Sequence, residues 1–123
     1  IRGIDHRIEP HQPGFRDLTT SSSTKLAAEK AGLGAGPVQV AELYAPFSPQ
    51  EVILRQSLGL DDSVSINPSG GALASNPMMA AGLVRIIEAA SRVADGTAKR
   101  ALAHATNGQA LQHNLVCILE GEN

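Results

Sequence analysis

Apolar and polar residues alternate over Ile1–Ile8, a two-residue period that predicts a half-buried strand ended by Pro10, Pro13 and Gly14. Leu18–Ser23 is a hydroxyl-rich lead-in with several possible caps, and Thr24–Ala31 reads as a short helix stopped by the glycine-rich run Gly32–Pro37. Val38–Ala45 predicts a second strand, with bulk from Val38, Val40 and Leu43, closed by Pro46. Ser48, Pro49 and Glu51 have the spacing of a capping box and open a helix that carries Val52, Ile53, Leu54 and Leu58 to Gly59. Asp61–Ser63 is a connector and Val64–Ile66 a short apolar piece.

Ile66–Gly82 follows and holds three of the 12 glycines and two of the seven prolines. Pro77 can open a long helix, Met78–Ala94, whose apolar positions Leu83, Val84, Ile86, Ile87, Ala90 and Val93 predict extensive burial. Arg85, Glu88 and Arg92 recur at helical spacing, so that Glu88 can pair with either arginine on a solvated or interfacial stripe. Lys99–Ala105 and Leu111–Glu120 predict two last strands joined by Thr106–Ala110. The second of these contains a near-continuous apolar run, Asn114–Leu119, as a strand covered on both faces would. The order of elements predicts an α/β domain with a mixed sheet of five or fewer strands, helices on both faces and a closing antiparallel pair.

Composition narrows the function. The 123 residues suffice for one domain, and with only 2% aromatics the core must be aliphatic. A formal charge of −2 argues against sequence-independent nucleic-acid binding. One cysteine, Cys117, rules out an intrachain disulfide framework and a cysteine zinc cluster, and its place in an apolar strand reads as a small buried hydrophobe. His6 and His11 lie near Asp5 and Glu9 without a metal-ligand spacing, and no metal or cofactor is expected. No signal peptide or membrane-spanning run is evident, which predicts a cytoplasmic protein. The start at Ile1, directly in strand-like sequence, suggests a piece of a longer polypeptide.

Across essentially its whole length the sequence resembles the C-terminal half of thiolases of the sterol-carrier-protein-x or lipid-transfer type. The family's Glu-Leu-His-Asp-Cys-Phe-like motif is matched by Glu42, Leu43, Tyr44, Ala45, Pro46 and Phe47. Its Asn-x-Ser-Gly-Gly is matched by Asn67, Pro68, Ser69, Gly70 and Gly71. Its Gly-His-Pro motif falls on Ser75, Asn76 and Pro77 and runs on to Gly82, with Met79 in place of a glycine. His104, Ala105, Thr106, Asn107 and Gly108 take the place of its last motif. The resemblance implies a thiolase-like fold over residues 1–123, an acyl-CoA substrate, an N-terminal half bearing the nucleophilic cysteine, a homo-oligomer and, in related lipid-degrading systems, a small OB-fold, zinc-ribbon partner.

The departures bear on the chemistry. Asn76 stands where the family has its histidine base, and an amide cannot accept a proton near neutrality. The acid/base cysteine of the C-terminal half has no counterpart. Tyr44 replaces another histidine and can donate a hydrogen bond or act in acid–base catalysis; otherwise it is a half-buried strand tyrosine. With Asn76 and the backbone N–H groups near Gly108 it would suit a retro-aldol cleavage, which needs no nucleophilic cysteine. His104 is a candidate for substrate contact or for a hydrogen bond to its neighbours, and His113 carries little weight. Asn67, Ser69, Gly70, Gly71, Asn107 and Gly108 complete the implied substrate site. Two classes stay open: an acyl-CoA enzyme, acyltransferase by family or lyase by residue content, and a non-catalytic protein that binds acyl-CoA, lipid or a partner subunit.

Overall fold

The structure, a computed structural model, describes residues 1–121. One mixed five-stranded sheet runs in the order β1-β5-β4-β2-β3, built from β1 (Gly3–Ile8), β2 (Val40–Leu43), β3 (Ser65–Ile66), β4 (Arg100–Asn107) and β5 (His113–Glu120). β2 is parallel to β3 and β4, while β5 is antiparallel to both β4 and β1. Helices α1 (Ser22–Ala31) and α2 (Ser48–Leu58) cover one face, and α4 (Ala81–Ala94) covers the other. The expected α/β architecture with helices on both faces is therefore present. A four-residue helix, α3 (Gly71–Ala74), lies in the loop between β3 and α4.

The apolar run of β5 is buried because β5 lies between β1 and β4 and under helices on both sides. The core is aliphatic, and its α1/α2 side gathers Ala27, Leu43, Leu54, Leu102, Val116 and Ile118. Cys117 is buried on the α4 side, where burial pushes its thiol above the ordinary value.

β1 alternates as expected, but in the opposite sense. Ile4 and Ile8 face outward at 52% and 58% exposure, and Gly3, Asp5 and Arg7 face α1. Close packing of the helix sets this sense, since a Cβ on Gly3 would run into the Ala31 carbonyl.

The capping box at Ser48 does not form. Phe47 is the cap, and the Glu51 carboxylate instead accepts from Asn67 Nδ2 at 3.0 Å. At α1 the cap comes from outside the hydroxyl-rich lead-in. Glu9 accepts from the Ser23 N–H at 2.7 Å and from the Ser22 hydroxyl. Burial pushes the Glu9 carboxyl up, but the bonds from Ser23 and Ser22 and the nearby Arg16 together hold it below its usual range.

The long helix also starts later than expected. Met78–Ala80 form a turn, and regular helix begins at Ala81. Its buried positions are Ala81, Arg85 and Ala89, one stripe at a spacing of four, while Leu83 and Ile87 remain exposed. Extensive burial of this helix is thus not observed. Gly82 sits against β4 so closely that a Cβ there would come within 2.7 Å of the Ala105 Cβ.

Candidate functional site

The carboxyl ends of the parallel strands β2 and β4 open beside the start of α4, the usual place for a ligand crevice in an open α/β sheet. A cleft of about 360 Å³ lies there, lined by Tyr44, Met78, Met79, Gly82, Leu83, Thr106 and Asn107. Tyr44 directly follows β2, and its hydroxyl donates to Asn76 Oδ1 at 3.0 Å. Asn107 ends β4, and its Oδ1 accepts from the Gly108 N–H at 2.8 Å. The lining contains no carboxylate and no histidine. Met78 and Met79 are exposed at the lip instead of packed in a core.

Below the cleft lies an ion pair that helical spacing does not reveal. Glu42, on β2, is 0% exposed and Arg85, on α4, is 2% exposed, and they meet at 3.1 Å. Ser69 completes the cluster. Its N–H and hydroxyl donate to the Glu42 carboxylate at 3.0 and 2.7 Å, and its oxygen accepts from Arg85 Nη1 and the Gly71 N–H. Arg85 is therefore neither solvated nor paired with Glu88. A carboxylate inside the short buried strand Val40–Leu43 was the available signal, because a charge there requires a partner.

Asn67 has φ 48 and holds the glycine loop on β2: its Oδ1 accepts from the Leu43 N–H at 2.6 Å. Gly70 and Gly71 continue in left-handed backbone, with φ of 91 and 63. Asn67, Ser69, Gly70 and Gly71 thus support the cleft and do not line it.

His104 lies apart from these residues. It is fully buried on the α1/α2 side, between Leu43 and Val116 in the sheet register. Its Nε2 meets Asn114 Oδ1 at 2.9 Å. Burial pushes its pKa down to about 4, and the bond from Asn114 only partly opposes this. The structure therefore brings Tyr44 and Asn107 to one cleft, with Asn76 bonded to Tyr44 and Gly108 next to Asn107, and places the His104 ring outside it. His6 and His113 stack at 5.8 Å, and among the described residues no cluster of three or more metal-ligating side chains occurs.

No protein-family model matches the chain. It is 33% identical over 81 residues to the 3-oxoadipyl-CoA/3-oxo-5,6-dehydrosuberyl-CoA thiolase of Escherichia coli K12, which covers 65% of this chain and 20% of that protein. It is 34% identical over 117 residues to sterol carrier protein 2 of Rattus norvegicus, which covers 80% of this chain and 21% of that protein. Among solved structures it resembles a monomeric SCP2-thiolase-like protein type 1 from Mycobacterium smegmatis, with a TM-score of 0.73 and 25% identity over 99% of this chain and 29% of that one. The chain thus spans about a fifth of the length of the curated relatives it matches. Fold and sequence point the same way, and the chain is a thiolase-like domain of the sterol carrier protein 2 type.

Proposed function

We propose that this domain is the C-terminal half of a longer acyl-CoA protein of lipid metabolism, and that it supplies one wall of the thioester pocket. The observation that carries this reading is the Tyr44–Asn76 pair at the mouth of the cleft. Within the family resemblance, Asn76 occupies the position of the histidine base and Tyr44 that of another histidine. Neither is a ready base, which argues against ordinary thiolysis.

Retro-aldol cleavage of a 3-hydroxyacyl-CoA fits this inventory better. A base takes the β-hydroxyl proton, the Cα–Cβ bond breaks, an aldehyde or ketone leaves, and the electron pair stays on the thioester as an enolate that then gains a proton. Tyr44 turns its O–H from Asn76 Oδ1 to the thioester oxygen as negative charge develops there, and the Asn76 amide N–H assists. The lining of this wall holds no carboxylate or histidine, so the base comes from the other half.

In the full polypeptide, Tyr44→Phe is expected to slow cleavage of a 3-hydroxyacyl-CoA by about 10²-fold or more. Unchanged turnover would sink the tyrosine's role, and a covalent acyl-enzyme would return the protein to acyl transfer. The alternative, a domain that binds acyl-CoA without reaction, is favoured by the absence of a base in this wall; it requires wild-type protein to bind the thioester and leave it intact.

The outward residues Ile4, Ile8, Leu83 and Ile87 suit an N-terminal half as their cover. The solved relative is described as monomeric, which favours that half over a second copy. The isolated domain is expected to self-associate in sedimentation, and a clean, stable monomer would count against this surface being a buried one.

A further inference from the structure

The loop that joins β4 to β5 is held in an unusual conformation. Ala110 and Leu111 both have positive φ, at 49 and 59, and neither is glycine. Such backbone persists only where its surroundings enforce it, and it concentrates at functional sites. Here three consecutive carbonyls receive side-chain donors. Arg16 Nη2 donates to the Gln109 carbonyl at 2.8 Å and Nη1 to that of Ala110 at 2.7 Å. Asn114 Nδ2 donates to the Leu111 carbonyl at 2.7 Å.

Asn114 is fully buried, and its orientation follows from its partners. Its amide nitrogen serves Leu111 and the Ser23 hydroxyl, so its Oδ1 must accept from His104 Nε2. His104 therefore carries a proton on Nε2, and its buried Nδ1, with no partner among the described residues, has nothing to hold a second one, which leaves the neutral Nε2–H tautomer. The same residue reaches the other side of the cleft through its backbone, since its carbonyl accepts from the Tyr44 N–H at 3.2 Å.

We propose that His104 is a positioning residue: its Nε2–H fixes Asn114, Asn114 fixes the left-handed Ala110–Leu111 turn, and that turn sets the Asn107–Gly108 rim of the cleft opposite Tyr44. The inference rests on the reading that this cleft receives the acyl-CoA thioester. It gives the histidine a role with no contact to substrate.

The test uses the full polypeptide with three forms of the protein: wild type, His104→Leu and His104→Gln. Leucine keeps bulk but offers no donor, whereas glutamine can restore an N–H to Asn114. Backbone order parameters of Ala110 and Leu111 are expected at about 0.85 in wild type, below about 0.6 in His104→Leu, and recovered in His104→Gln. The Glu9 amide, which donates to the Gln112 carbonyl, is expected to exchange at least about tenfold faster in the leucine variant. Binding of 3-hydroxyoctanoyl-CoA is expected to weaken by a similar factor and to recover with glutamine. A turn that stays ordered in His104→Leu, or loosening spread evenly over the fold, overturns the proposal. Should His104→Leu fail to fold, the imidazole nitrogen resonances of wild type decide: an Nδ1–H tautomer or an imidazolium overturns it, and the Nε2–H form supports it. A turn that loosens while thioester binding is unchanged upholds the positioning and tells against the acyl-CoA reading of the cleft.

Discussion

Glu42→Ala is expected to destabilise the protein by about 3–5 kcal/mol, as breaking a buried ion pair on one side commonly does. The substitution leaves the Arg85 guanidinium, only 2% exposed, without its counter-charge, and removes the acceptor for both the Ser69 N–H and its hydroxyl. Arg85→Ala should cost a similar amount, since it leaves Glu42 as the orphan. Replacing both by apolar residues, Glu42→Leu with Arg85→Met, should cost far less than the sum, because a buried pair gains little over well-packed hydrophobes. Denaturant midpoints of the two single variants and the double variant close the cycle. Additive losses would show that the pair is not coupled. The double variant should also lose definition in the Ser69–Gly71 loop, which depends on Glu42 for its hydrogen bonds.

Acid should weaken the fold as pH falls below the ordinary histidine range. The folded protein holds His104 at about 4, against an ordinary value of 6.5. Between those values the unfolded chain binds more protons than the folded one, so stability rises with pH across the window. The contribution is complete above 6.5 and is lost as pH falls toward 4, a total of about 3 kcal/mol at 1.36 kcal/mol per unit. Glu9 adds to this at lower pH. Its carboxyl is held down in the fold, so its contribution is present above the ordinary value of 4.5 and is lost as pH falls through the depressed one. Unfolding midpoints across this range should slope for wild type and flatten between pH 6.5 and 4 in His104→Gln. An equal slope in both would assign the acid sensitivity elsewhere.

Local patterns revealed the elements, and distant partners decided their details. The apolar run of β5, the closing antiparallel pair and α2 were legible because strand and helix periods are written over a few adjacent residues. The role of Arg85 was not legible, because its nearest candidate along the helix is Glu88 while its partner lies on β2. The same holds for the caps: Glu51 turns to Asn67, and Glu9 reaches across to α1. At β1 the alternation was readable but its direction was not, since only the fit of Gly3 beneath Ala31 decides which side faces the helix. Within the cleft, Tyr44 and Asn76 could be singled out from the motifs they interrupt. His104 was singled out too, yet its ring faces away from the cleft, a consequence of strand parity that becomes plain only when the register with Leu43 is known.

The pairing of β1 with β5 also bears on synthesis. Gly3 lies opposite Ile118 and Ile8 opposite His113, so among the described residues the first strand of this domain has its sheet neighbour in the last. A chain that emerges from the ribosome N-terminus first carries β1 unpaired until nearly the whole domain is out, and α1, which packs on both strands, gains its full seat at the same late moment. A nascent chain arrested before Val116 would leave both without their platform and open to chaperones or proteases, although most of the other elements had already been made.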